Sequence, residues 1–237
     1  MLAGLAGPGC AKEDLLMHKV DVHEVFADNR TAEMADAIAD DDAKRVRALA
    51  PTTDLKSHGD KNVTLLEWAV FNQSKQAFNA LLEAGADPAL PGMDGSTVAH
   101  LAAMANDPYY LDVLLKAGVD PNLRDHATGQ PLLSAALTGR REEQFRSLMA
   151  AGADPNGANN MGDTPLHAAG LINDPVHALA LLQAGSDPKA RNAQGVTFQQ
   201  YLFMTREDLL NDSTRRGRDS VRAWLRSHDV EVEATGP

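Results

Sequence analysis

A single cysteine, Cys10, stands in a chain of 237 residues. That excludes a disulfide framework and a cysteine-based zinc site. Aromatic residues make up only 5%, but hydrophobic residues reach 43%, a globular mix, since a disordered chain would be less apolar. Basic side chains are in deficit: 22 Lys and Arg face 33 Asp and Glu, for a formal net charge of −11. Phosphate binding needs clustered Lys and Arg, so nucleic acid and anionic membrane surfaces are excluded as the main partner. No apolar run approaches the roughly 18 residues of a membrane helix. Catalytic signatures are missing too. There is no Gly-x-x-x-x-Gly-Lys-Ser/Thr loop, no Gly-x-Ser-x-Gly elbow and no His-Glu-x-x-His. His23-Glu24 begins the last of these without the second histidine. The length suits one or two domains with a substantial core.

The first nine residues are uncharged and small or apolar, and they end directly at Cys10. This resembles the tail of a bacterial lipoprotein signal, with Cys10 as the lipidation candidate. Gly7 stands where an aliphatic residue is usual, and a basic n-region is missing; a start codon set too far downstream would explain the latter. A plain N-terminal tail with a chance cysteine is the alternative. The signal reading places the protein in the bacterial periplasm, lipid-anchored; the tail reading leaves it cytoplasmic. Residues 1–29 are assigned to this leader or tail.

The rest of the chain repeats. Ala-Gly-x-Asp-Pro occurs at Ala84, Ala117, Ala151 and Ala184, with aspartates Asp87, Asp120, Asp154 and Asp187 separated by 33, 34 and 33 residues. Paired Leu or Leu-Met residues precede most copies. A second block, fullest at Thr164-Pro165-Leu166-His167-Ala168-Ala169, has counterparts starting at Thr64, Thr97, Gln130 and Thr197. Thr can cap a helix and Pro suits its first turn. Small alanines at Ala69, Ala102, Ala135 and Ala168 allow close helix approach. Gly85, Gly118, Gly152 and Gly185 supply a left-handed residue that ends the second helix. No such unit buries its own apolar face, so stacking supplies the core.

Two motifs in one register identify the chain as similar to the ankyrin-repeat family. The resemblance implies an all-α solenoid of helix–turn–helix units with projecting hairpin-like loops. Full repeats fall at 59–91, 92–124, 125–158 and 159–191, with capping repeats at 30–58 and 191–230 and a tail at 231–237. The Asp40-Asp41-Asp42 run reads as a solvated cap, and the Asn-Asp-Pro runs at Asn106 and Asn173 as starts of second helices. His100 and His167 fill the Thr-Pro-Leu-His position, where histidines bond between repeats. Asn62-Val63-Thr64 and Asn72-Gln73-Ser74 match the glycosylation sequon, the first being explained by the repeat itself. No cofactor, metal or catalytic residue is indicated.

In this family the loop tips and the exposed side of the first helices form a concave binding surface. Just after the alanines lie Phe71, Met104, Leu137, Leu171 and Met204, apolar in all five repeats, with Asn72 and Ile172 beside two of them. An exposed apolar stripe of this kind marks a protein partner; partial burial against the next helix is the alternative for one or two members. Burying five such side chains contributes about 8–15 kcal/mol gross, against an association cost of about 4–15 kcal/mol, so polar contacts must help. The loop tips supply Asp60, Lys61, Met93, Asp94, His126, Asn160, Met161 and Asp163, with an acidic excess suited to a basic groove. The charged segment 205–218, with Arg206, Arg215, Arg216 and Arg218, reads as a projecting loop, either a second surface or a solvated excursion of the cap. Short bacterial ankyrin proteins imply two roles. One is immunity: binding and sterically blocking a secreted antibacterial effector, such as a type VI secretion phospholipase. The other is an envelope scaffold supporting a resident enzyme such as a catalase.

Overall fold

The computed structural model describes residues 21–233; Cys10, most of the leader segment and residues 234–237 lie outside them. The described residues are helical, with two isolated β-bridges and no strand. The chain divides into two compact units, one ending at Met93 and one beginning at Asp94.

In the N-terminal unit, α1 (Val22–Val25) is a single turn capped by Asp21. It is followed by α2 (Asn29–Ala39), α3 (Ala43–Leu49), α4 (Leu65–Phe71) and α5 (Lys75–Glu83). The first helices α2 and α4 pack together, and α3 lies on α5. Folded structure therefore reaches back into the leader assigned to 1–29: Val25 and Phe26 are buried, and the Phe26 ring meets Trp68 edge-on at 5.7 Å. The Trp68 indole N–H donates to Ala35 O at 3.0 Å, tying the two first helices. The Asp run is a turn: Asp42 caps α3, and the Asp41 carboxylate accepts from Ala77 N–H at 2.8 Å.

The C-terminal unit holds α6 (Val98–Met104), α7 (Tyr109–Lys116), α8 (Leu132–Thr138), α9 (Glu142–Ala150), α10 (Pro165–Leu171), α11 (Pro175–Gln183), α12 (Phe198–Leu202) and α13 (Asp212–Ser227). α6, α8, α10 and α12 stand side by side as one layer, with α7 and α9, then α11 and α13, packed in the second. Its core comprises Leu111, Leu114, Leu132, Leu148, Leu166, Leu181, Phe198, Val221 and Leu225. Both units have the all-α ankyrin-repeat fold. Second helices end on left-handed glycines, as at Gly118 (φ 89°), where Val119 N–H returns to Leu114 O at 3.0 Å.

The N-caps of the first helices are Thr64, Thr97, Pro131, Thr164 and Thr197. The third is one residue later than Gln130, which the Gln-Pro-Leu motif suggests. The extra residue is taken up in the loop before α8. Three residues after the cap sits the inter-repeat link. His100 holds the Thr97 hydroxyl at Nδ1 (3.0 Å) and Gln130 O at Nε2 (2.9 Å); His167 does the same with Thr164 (2.9 Å) and Val196 O (3.0 Å). Burial lowers the His100 pKa, which keeps the neutral ring that donates from Nε2 and accepts at Nδ1. Glu67 substitutes in the N-terminal unit, accepting from Thr64 N (2.8 Å) and Met93 N (3.3 Å). Its carboxylate occupies the place where a Cβ on Gly92 would stand.

The fourth repeat lacks this link. Pro131 offers no side-chain cap, and Ser134, at the His position, is buried with its hydroxyl unpaired. Installing the pattern of the neighbouring repeats with Pro131→Thr and Ser134→His is expected to stabilise the chain by about 1–2 kcal/mol. Urea unfolding checks this; unchanged or lowered stability would contradict it.

Candidate functional site: the inner face of the C-terminal unit

The stripe position lies seven residues after each first-helix cap; it closes α4, α6, α8 and α10 and falls two residues past the end of the five-residue α12. With the observed register it is Phe71, Met104, Thr138, Leu171 and Met204. Met104, Leu171 and Met204 are 45%, 62% and 68% exposed. Leu137 is not part of the stripe. One residue earlier in the helix, it turns into the core and is 2% exposed, leaving the surface to Thr138, whose hydroxyl donates to Ser134 O at 3.0 Å. The predicted apolar continuity is thus broken by one polar side chain. Asn72 is also withdrawn: it is buried at the C-cap of α4 and its Nδ2 donates to Trp68 O at 2.8 Å. Ile172, the C-cap of α10, is half-buried, and its carbonyl faces the Arg140 guanidinium at 3.4 Å.

Loop tips of this unit are joined through their backbones. His126 N–H donates to Gly95 O (3.0 Å), Asn160 N–H to Thr128 O (2.9 Å) and Ala193 N–H to Met161 O (2.8 Å). Each tip is shaped by a residue that motif reading passed over. Asp125 accepts from Thr128 N at 2.7 Å, Asn159 from Asp163 N at 2.9 Å and Asn192 from Val196 N at 3.0 Å. Burial works against charge on Asp125, but the Thr128 amide and hydroxyl outweigh it and hold the carboxyl below its usual range. Their spacing of 34 and 33 residues was the available signal. Asp163 is drawn in by Asn192 Nδ2 at 2.8 Å, whereas Asp94, His126, Asn160 and Met161 stay exposed. Asn160 also bonds Ala127 O through Nδ2 at 3.2 Å. Asp60, Lys61, Phe71 and Met93 belong to the N-terminal unit. Asp60 and Lys61 are exposed on a short 3-10 turn; Phe71 and Met93 are half-buried.

Segment 205–218 is not a projecting loop. α13 starts within it, at Asp212, because Asn211 caps the helix by accepting from Thr214 N–H at 2.8 Å. Arg218 is fully buried and donates to Thr205 O (2.7 Å) and, through Nη2 and Nε, to Asn173 Oδ1 (2.8 and 3.2 Å). Arg215 holds Glu207 O at 2.9 Å, and Arg206 pairs with Asp208 at 2.8 Å. Of the four predicted arginines, Arg206 and Arg216 lie at exposed positions, Arg216 on α13. Past α13, Gln199 pins the chain at Glu231 O (3.1 Å) and Glu233 N (3.1 Å), closing the end of the stack.

Among the described residues no group of three or more His, Cys, Asp or Glu is placed to hold a metal, and no helix is long and apolar enough to cross a membrane. What the inner face offers is shape and apolar area: three exposed aliphatic side chains beneath a rigid row of tips. The fold that presents them is that of ankyrin repeats.

The comparisons agree on that class. Ankyrin repeats, in three copies, match residues 95–192. Protein PhlB of Serratia liquefaciens is 45% identical over 140 residues, covering 59% of this chain and 62% of that protein. The E3 ubiquitin-protein ligase KEG of Arabidopsis thaliana is 31% identical over 157 residues, covering 61% of this chain and 10% of the ligase. The chain thus spans less than two thirds of the length of these relatives. Among solved structures, a chain in the complex of the Bd0816 predatory endopeptidase from Bdellovibrio bacteriovorus with immunity protein Bd3460 aligns at TM-score 0.63. It is 21% identical, with 79% of this chain and 97% of that one covered. The ankyrin domain of Bcl-3 aligns at 0.58 and 19% identity, covering 83% and 99%. At these identities the likeness is one of fold.

Proposed function

We propose that this chain is a bacterial immunity protein: it binds a secreted antibacterial hydrolase and blocks its active-site mouth sterically, without turnover. The observation that carries the reading is the inner face of the C-terminal unit, where Met104 and Leu171 stand exposed at the ends of α6 and α10, and Met204 just past the end of α12. Burying three such side chains contributes about 5–9 kcal/mol gross, within the cost of association. The loop tips and Thr138 then have to supply polar contacts. Similarity to a chain from an effector–immunity complex, and to a Serratia protein over 140 residues, supports placing it with bacterial binding proteins of this kind. The acidic balance suits an effector whose site accepts anionic phosphate, as a phospholipase site does. Such an effector acts at the envelope, so we place the protein in the periplasm, lipid-anchored through Cys10.

Capture with tagged protein from its native cells tests the reading. Recovery of one secreted hydrolase whose activity falls on mixing, encoded beside this gene, is expected. Recovery of a stoichiometric resident enzyme with unaltered activity would replace immunity with the scaffold role.

A further inference from the structure

Both ring nitrogens of His177 face carboxylates. Nδ1 lies 2.6 Å from Asp174 Oδ2 and Nε2 2.8 Å from Glu142 Oε2. A carboxylate only accepts, and a neutral imidazole has one N–H, so the doubly protonated ring alone satisfies both contacts. The carboxylates come from different repeats. Glu142 is the first residue of α9, whereas Asp174 is the N-cap of α11, on whose first turn His177 sits. The ring is largely enclosed, with the Phe145 ring edge-on at 4.6 Å.

We infer that His177 is a proton-operated clamp between the fourth and fifth repeats: protonated it bridges α9 and α11, and neutral it keeps Asp174 and releases Glu142. Asp174 is the partner retained because its other oxygen accepts the His177 backbone N–H at 3.2 Å and it is the less exposed carboxylate. Release falls where the stack is already short of links, at the repeat with the uncapped Pro131 and the unpaired Ser134 hydroxyl. The clamp is a property of the chain alone and holds whichever partner the inner face takes.

Other charges nearby are committed elsewhere. Glu142 also pairs with Arg146 on α9 at 2.6 Å. The titratable residue of α10 is His167, bound to Thr164 and Val196 O. On the α13 side, Arg218 is held by Asn173 and Thr205. The hydrogen bond to Asp174 outweighs burial and raises the His177 pKa above 6.5. A raised folded-state pKa gives stability that is complete below the unfolded value and is lost as pH rises through the folded one. Acid therefore closes the clamp and alkali opens it.

The test follows the imidazole C–H resonance of His177 by NMR in the full chain, assigned with His177→Gln. It is paired with urea unfolding at about pH 5.5 and about pH 8.5, either side of the imidazole range. The expected midpoint lies above 6.5. Wild type should lose about tenfold in folding constant per pH unit of that elevation, relative to His177→Gln. Glu142→Gln, on an exposed carboxylate, is expected to lower the midpoint while leaving the chain folded. A midpoint at or below the ordinary value, or one indifferent to Glu142→Gln, would overturn the clamp.

Discussion

Arg218→Ala is expected to destabilise the C-terminal repeat by about 3–5 kcal/mol, the range for breaking a buried charged network. The guanidinium has no exposure and serves three acceptors: Asn173 Oδ1, Thr205 O and the Glu207 carboxylate at 3.4 Å. Asn173 comes from the turn between α10 and α11, whereas Thr205 and Glu207 lie in the connection after α12, so this one side chain joins the fifth repeat to the terminal one. Truncation leaves the amide and carbonyl without donors as well as a cavity. Lysine does not substitute, because a single ammonium cannot reproduce the planar fork that spans Asn173 and Thr205. A fall in Tm on the order of 10 °C, with amide protection lost first in α13, is the expected readout. Wild-type stability in the variant would show that the cap is held by Val221 and Leu225 packing alone.

Met104→Asp with Leu171→Asp is expected to weaken partner binding by on the order of 1,000-fold or more, taking about 2 kcal/mol for each apolar anchor lost. Each carboxylate must also be desolvated against the partner. The cost to the fold is small, about 1 kcal/mol per site from helix propensity and an acid at a helix C-terminus, because both side chains already stand in solvent. A matched Leu137→Asp change is expected instead to unfold the fourth repeat, since that side chain is buried. Circular dichroism separates the two cases. A folded Leu137→Asp protein would mean that the register assigned to α8 is wrong.

That register marks where the sequence stopped being legible. Repeats at Thr64, Thr97, Thr164 and Thr197, and the glycines ending the second helices, were readable because cap and turn chemistry is local. At Gln130-Pro131-Leu132 the local motif pointed one residue early, and only the length of the preceding loop could correct it. A one-residue shift on a helix turns a side chain by about 100°, enough to exchange Leu137 for Thr138 on the surface. The cap was misread for a different reason. Five arginines between Arg206 and Arg222 look like a solvated run, and burial of Arg218 depends on Asn173, 45 residues away. Composition carries no trace of such a pairing. The tip-shaping Asp125, Asn159 and Asn192 were visible as a repeat but belong to no named motif. His177 belongs to no motif of the repeat, and only the fold brings Glu142 to its second nitrogen.

The most direct measurement is calorimetric titration of the captured hydrolase into wild type, the Leu171→Asp/Met204→Asp variant and Val176→Asp. Val176 is equally exposed, at 64%, but sits on α11, off the first-helix layer. Wild type and Val176→Asp are expected to bind and inhibit alike, and the stripe variant to do neither while remaining folded. Full binding and inhibition by the stripe variant, with loss in Val176→Asp, would contradict the inner face as the binding site.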